Sequence, residues 1–110
     1  MTRFPYWEHF NDRMRVISRR TLKQFWEKHA DAEQPLKAWF HETEAANWKS
    51  FIDIKARYGS ADALAGNRVV FNVKGNTYRL IVRIHFNTGI IFIRFIGTHA
   101  AYDRISAQTI

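Results

Sequence analysis

The chain has 110 residues, with 17 Lys and Arg against 10 Asp and Glu, so its formal net charge is +7 and its isoelectric point lies near 10.1. With 46% hydrophobic and 15% aromatic residues it can fill one core, which excludes intrinsic disorder, and zero cysteines exclude disulfide staples, thiolate chemistry and cysteine-based zinc sites. No window reaches the ~18 consecutive apolar residues of a membrane span, and Glu8 and His9 interrupt the first ten residues where a signal peptide needs an apolar run, so the chain is expected in the cytoplasm.

Residues 1–13 stand apart: Phe4, Tyr6, Trp7 and Phe10 accompany a proline and charges that cancel. They are expected to be an N-terminal extension, either upstream of a translation start at Met14 or an arm that docks its aromatics, and residues 14–110 to be a single domain. Met14 to Ser18 is a short β-branched run and predicts an opening strand. Leu22, Phe25, Trp26 and His29 then follow at i, i+3, i+4, i+7, the stripe of a helix over about 19–29. Leu36, Trp39, Phe40 and Thr43 repeat the spacing, with Asp31 placed to cap and Pro35 tolerated in a first turn, so an αα-hairpin is expected. Ser50-Phe51-Ile52-Asp53 resembles a capping box ahead of a third helix at about 51–58, and Ser60 to Asn67 reads as small-residue loop. From Arg68 the period becomes two. Runs at 69–73, 78–86 and 90–97, joined by Gly/Asn turns, predict an antiparallel meander whose central strand carries Tyr78, Leu80, Val82, Ile84 and Phe86 on one face. Arg79, Ile81, Arg83 and His85 take the other face, left to meet solvent or a ligand. The predicted fold is α+β, in the order β-α-α-(α)-β-β-β, with an antiparallel sheet and helices packed on one face.

The charge is unevenly placed. Residues 1–65 hold eleven Lys and Arg against nine acids, whereas residues 66–110 hold Arg68, Lys74, Arg79, Arg83, Arg94 and Arg104 against Asp103 alone. Such a cationic half attracts a polyanion, nucleic acid being the usual one, or else simply solubilises the surface. The last strand runs into Gly97-Thr98-His99-Ala100-Ala101-Tyr102-Asp103-Arg104, a compact group of functional side chains at a sheet edge. His99 can exchange a proton near neutral pH, Tyr102 and Arg104 can hold a phosphate, and Asp103 can orient or deprotonate a neighbour. The same residues also fit a plain helical turn capped by Thr98 or Asp103, with Tyr102 packed and His99 solvated. The five histidines at 9, 29, 41, 85 and 99 show no H-x-x-x-H spacing, so no metal site is expected, and no cofactor is implied. A G-x-S-x-G elbow and a Gly-rich phosphate loop are both missing, and Trp26, Trp39, Phe25 and Phe40 sit at core spacing.

The segments Asn72-Val73-Lys74-Gly75-Asn76-Thr77-Tyr78-Arg79-Leu80 and Phe95-Ile96-Gly97-Thr98-His99-Ala100-Ala101-Tyr102-Asp103, in this order and separation, resemble the HigB toxins of the RelE/ParE superfamily of bacterial toxin-antitoxin systems. The resemblance runs from about Met14 to Ile105. It implies a RelE-like fold and an mRNA interferase that cleaves messenger RNA, commonly on the ribosome. It also implies silencing by a helix-turn-helix antitoxin of the HigA type encoded beside it, with operator DNA reached only through that complex. Carried onto this sequence, it makes Arg79 the phosphate contact, His99 the group after the final strand, and Tyr102 and Asp103 the aromatic and acid of the next turn. Arg68 and Lys74 fall on the family's basic surface less securely, and Arg83, His85, Arg94 and Arg104 extend the RNA-binding set.

RNA supplies its own nucleophile, the 2′-OH, so the enzyme needs to align it with the phosphate, take its proton, stabilise the phosphorane and protonate the leaving oxygen. On that basis Arg79 is the charge clamp, His99 the acid or base, Tyr102 a positioning group, and Asp103 the residue that orients His99 or takes the proton. Two other functions share the features. A ParE-like gyrase inhibitor has the same fold without an RNA-cleaving centre, and primer extension on translated mRNA separates it. A non-catalytic RNA- or ribosome-binding domain is also basic but usually carries exposed stacking aromatics on its strands, which the central strand lacks.

Overall fold

The computed structural model describes residues 13–110, so all but the last residue of the expected extension lies outside the described residues. In chain order the elements are β1 (Arg15–Ile17), α1 (Arg19–Lys28), a 3-10 turn (Ala30–Ala32), α2 (Glu33–Ala45), α3 (Phe51–Arg57), β2 (Asp62–Leu64), β3 (Arg68–Val73), β4 (Tyr78–His85), β5 (Ile90–Thr98) and α4 (His99–Tyr102). One five-stranded sheet has the order β1-β5-β4-β3-β2. The meander β3-β4-β5 is antiparallel, as its period-two pattern requires, and the opening strand returns to pair parallel to β5. Helices α1 to α3 separate those two strands in sequence, long enough to allow a parallel crossover. The expected α+β fold with helices on one face is the one found, but the sheet is mixed and not wholly antiparallel, because β1 joins the β5 edge in parallel.

The helices bury the stripes that the spacing singled out. Leu22 and Trp26 of α1, and Leu36, Trp39 and Thr43 of α2, are buried, and they meet Val69, Phe71, Val73, Leu80, Val82, Ile84 and Ile91 of the sheet. Phe71 is the hub of an aromatic cluster: it meets Trp39 edge-on at 5.4 Å and Tyr58 edge-on at 5.2 Å, and stacks on Trp48 at 6.3 Å. Such pairs add to the area term because ring edges and faces carry opposite partial charge.

Three local expectations are corrected. Asp31 does not cap α2; it lies in the 3-10 turn, Ala32 occupies the cap position, and the Asp31 carboxylate accepts instead from the Tyr78 hydroxyl and from Lys74 Nζ at 2.7 Å. A charged partner outcompetes a backbone amide for a carboxylate. Ser50 stands at the α3 cap, but its hydroxyl makes no cap bond, and Asp53 reaches past it to accept from the Lys49 N–H at 2.8 Å. The stretch 60–67 is not all loop, since β2 pairs there with β3 from Asp62↔Val70 to Leu64↔Arg68. Its Asp-Ala-Leu sequence has too little apolar alternation to announce a strand, and the ladder supplies what propensity does not.

The far edge of the sheet is closed by α2. Glu44 Oε2 accepts from the outward Val16 N–H at 3.0 Å, and Met14 N–H donates to the Ala46 carbonyl, so β1 offers little free edge. Gly89, at φ +74°, holds the β4–β5 turn against β1: a Cβ there would sit 3.2 Å from the Arg13 carbonyl oxygen. Among the described residues, no helix is long and apolar enough to cross a membrane.

The bonds to Asp31 carry a testable pH dependence. Lys74, and after it Tyr78, hold the Asp31 carboxyl below its ordinary value of 3.8. A group whose native value is depressed stabilises the fold above its unfolded value and loses that contribution as pH falls through the native one. The Asp31→Asn variant is therefore expected to melt below the parent at pH 6, with the gap narrowing as pH drops beneath 3.8. Thermal melts of both chains across that range check it; a gap independent of pH contradicts it.

Candidate active site on the open face of the sheet

Register assigns each strand residue to a face, because cross-strand partners share one. Opposite the helices lie Arg79 with its partners Asn72 and Gly97, Ile81 with Val70 and Phe95, Arg83 with Arg68 and Phe92, and His85 with Ile90. A bulge in β5 makes this arrangement. Ile81 pairs with Phe95 but Val82 pairs with Ile93, so Arg94 is the extra residue. One added residue sends everything beyond it to the opposite face, and this switch brings Phe95 and Gly97 beside Arg79 instead of into the helix-side core.

Beyond β5 the chain turns into α4, where Thr98 Oγ1 caps by accepting from the Ala101 N–H at 3.1 Å. This short turn lays Tyr102 over the sheet. The Arg79 guanidinium stacks on the Tyr102 ring at 4.7 Å, and the Phe95 ring lies 6.4 Å from that of Tyr102. His99 meets Tyr102 edge-on at 6.5 Å, and its Nε2 lies 3.5 Å from Asp103 Oδ1. Arg79, His99, Tyr102 and Asp103 are thus brought to one place, at the end of β5 and the start of β4. The turn is the capped structural element that its sequence also fits, and it gathers these four side chains in one place.

Two physical features mark the cluster. Arg79 Nε is buried with no hydrogen-bond partner among the described residues. An unmet donor on a charged group costs about 1–3 kcal/mol, more than a purely structural arginine is expected to bear. The imidazole and carboxylate, in contrast, are open, with 48% and 64% of their side chains exposed. Nε2 faces Asp103, which leaves Nδ1 of His99 for a proton on a substrate. Screening keeps this exposed pair weak as a stabiliser, so its geometry matters more to chemistry than to folding.

Gly97 lets the cluster close. A Cβ built there would lie 2.6 Å from Phe95 Cζ, so the Phe95 ring occupies the space a side chain would need. Gly97→Ala is expected to displace that ring from Tyr102, costing about 1–3 kcal/mol as overpacking does. Adding Phe95→Ala should return the stability, a double-mutant result readable by thermal melts; additive losses contradict the contact.

The remaining predicted residues divide. Arg68, Arg83 and Arg94 share the middle of the open face, Arg68 directly across from Arg83. His85 lies at the far end of β4, six residues or about 20 Å from Arg79, edge-on to Phe92 at 5.4 Å. Arg104 is exposed on the turn. Lys74 is not brought to this face; it turns to the helix side and ion-pairs with Asp31. Ile81 and Val70 point to the open face yet are 0% and 5% exposed, so that face is not all free: residues 99–110 cross it. Sequence reasoning passed over Arg15, whose parallel pairing with Ile90 adds it to the basic face beside His85. Its signal was the alternation of buried Met14 and Val16 with exposed Arg15 and Ile17. Phe95 was also passed over as a site residue. Among the described residues, no three His, Asp and Glu side chains come together as a group that could hold a metal ion.

The HigB toxin family, the RelE-like toxic component of a toxin-antitoxin system, matches residues 32–105. This chain belongs to that family. The matched span runs from the start of α2 through α4 and includes all four clustered residues of this HigB-family chain. Its similar relatives include the mRNA interferase toxin HigB of Escherichia coli K12 and the mRNA interferases HigB of Escherichia coli O157:H7 and Shigella flexneri. Each is 29% identical over 96 residues, which cover 86% of this chain and 92% of the relative.

Proposed function

We propose that this HigB-family toxin is an endoribonuclease that cleaves messenger RNA, engaged on the ribosome, and that an adjacent helix-turn-helix antitoxin of the HigA type neutralises it. The observation that carries the proposal is Arg79: a guanidinium 4.7 Å from the centre of the Tyr102 ring, with an unmet buried donor, beside an open imidazole–carboxylate pair. The relatives' names as mRNA interferases support the substrate class. The basic open face, with Arg68, Arg83, Arg94, His85 and Arg104, supports a polyanion as the ligand.

In this mechanism the scissile phosphate lies against Arg79, whose planar guanidinium presents two donors to developing charge on the phosphorane. His99 Nδ1 exchanges a proton with the 2′-OH or with the leaving 5′-oxygen, and Asp103 keeps the ring turned. Tyr102 lies over Arg79 and holds it in place, and offers its hydroxyl to the phosphate or its edge to a base. No external nucleophile is required. Expression without antitoxin tests this: growth arrest with new 5′ ends inside translated transcripts is expected. Arrest accompanied by broken DNA and intact transcripts points to gyrase instead and contradicts the proposal.

A further inference from the structure

The catalytic cluster does not use the outer edge of β3. β2 pairs only with Arg68 to Val70, so Phe71 to Val73 run on without a strand on that side. Register fixes which main-chain groups this leaves. Ile84 N–H donates to the Asn67 carbonyl, which makes these two a hydrogen-bonded pair, and such pairs alternate along an antiparallel ladder. Counted back along β4, Arg79 and Asn72 form a non-hydrogen-bonded pair, so the Asn72 main-chain N–H and C=O point away from β4 into the open edge. The Asn72 side chain stands on the open face beside Arg79, one strand spacing or about 4.8 Å away. Among the described residues its carboxamide makes no hydrogen bond. Asparagine is disfavoured in strands, and no bond of this side chain explains its place between buried Phe71 and Val73.

Beside this edge, between α2 and β3, lies a hollow of about 110 Å³ whose lining includes Pro35, Trp39, Glu42, Tyr58, Asn72 and Lys74. At roughly 30 Å³ of liquid per water it has room for about four waters, the bulk of one flat heteroaromatic ring. Two of its walls are aromatic, and the Trp39 indole N–H is buried without a partner among the described residues. Glu42 accepts from the Tyr58 hydroxyl at 2.8 Å on one carboxylate oxygen and from Arg57 at 2.7 Å on the other, and each oxygen keeps a second lone pair.

We propose that this hollow is a nucleobase site, in which Asn72 and Glu42 read the base of the nucleotide next to the phosphate on Arg79. The site rests on the endoribonuclease proposal for its ligand. A peptide strand suits the edge less, because Asn72 alone offers its pair of groups: those of Val70 are taken by β2, and Lys74 turns off at φ +53°. One donor beside one acceptor matches the edge of a base, and single-stranded RNA leaves those edges free. Glu42 only accepts, so it favours a base with an exocyclic amino group, adenine, cytosine or guanine. Uracil presents carbonyl oxygens there instead, and a carboxylate repels them.

The test is expression of the full chain without antitoxin and sequencing of the new 5′ ends. Uracil should be about tenfold rarer than in the transcripts as a whole at one fixed position beside the cut, the low end of what one good side-chain contact to a base gives. Glu42→Gln, which turns one acceptor into a donor, should remove that depletion. Asn72→Val should lower cleavage about tenfold at all sites, yet in the Arg79→Ala background it should melt at the same temperature or higher, since valine is the better strand former. No depletion among the parent's cuts, or depletion that survives Glu42→Gln, overturns the proposal. So does an Asn72→Val chain that cuts like its parent, or one that melts lower, which assigns Asn72 a structural role. Nitrogen–proton spectra of the Arg79→Ala chain separate the site from the cleavage reading: adenosine should shift the Asn72 main-chain amide signal at concentrations where uridine does not. Equal shifts, or none from adenosine up to its solubility limit, overturn the site. A parent chain that yields no new 5′ ends counts against the ribonuclease reading, and the spectra then decide the site, as they do if Glu42→Gln fails to fold.

Discussion

Arg79→Ala is expected to lower RNA cleavage by about a hundredfold or more, the size seen when one donor to transition-state charge is removed, while the protein stays as stable as its parent. The two halves of this expectation have separate physical causes. Activity falls because no other side chain of the cluster is a guanidinium held against a ring: His99 and Asp103 are exposed. Stability holds because two changes offset each other. Removing the side chain relieves a buried Nε without a partner, worth about 1–3 kcal/mol, and gives up the stack on Tyr102, worth about 0.5–2 kcal/mol. Arg79→Lys keeps the charge but not the planar fork, and an intermediate rate is expected. Single-turnover cleavage and thermal melts on the same preparations check both halves. A large loss of stability with activity per folded molecule unchanged assigns Arg79 a structural role.

Phe71→Ala carries the largest expected effect on folding. The ring is 2% exposed and touches Trp39, Trp48 and Tyr58, so its removal leaves a cavity that three rigid aromatic rings cannot collapse to fill. The cost is about 3–5 kcal/mol, out of a total near 5–15 kcal/mol for a domain of this size. Melting should fall by at least about 12 °C, or no cooperative transition should remain. Both linker aromatics, Trp48 and Tyr58, lose their anchor, which also frees the Tyr58 hydroxyl from Glu42. Measured in the Arg79→Ala background to avoid toxicity, a loss below about 1 kcal/mol would show that the cluster repacks around the gap.

Much of this molecule is legible in its residues, and the exceptions have physical causes. The helical stripes Leu22/Trp26 and Leu36/Trp39/Thr43 and the alternation of β4 are strong periodic signals, and each is buried as its period requires. The face of β5 is not legible. Ile90 to Ile96 is apolar on both faces except at Arg94, and a bulge has no signature in such a run, so Phe95 and Gly97 could not be assigned to Arg79's side from sequence. Asp31 was misread because capping is a local rule, whereas its partners Lys74 and Tyr78 are more than forty residues away. The group His99, Tyr102 and Asp103 was visible as residue types after the last strand, but the contact of Tyr102 with Arg79 depends on that same bulge. The crossing of the open face by residues 105–110 had only two isoleucines to announce it.

The chemistry of the cut ends tests the central claim most directly. With RNA cleaved by this chain, attack by the 2′-OH leaves 2′,3′-cyclic phosphate or 3′-phosphate upstream and a 5′-hydroxyl downstream, so kinase labelling of the downstream fragment should succeed without prior dephosphorylation. Those fragments should disappear with Arg79→Ala and with His99→Ala. Downstream ends carrying 5′-phosphate, or equal yields of 5′-hydroxyl ends from both variants, contradict a 2′-OH mechanism centred on this cluster.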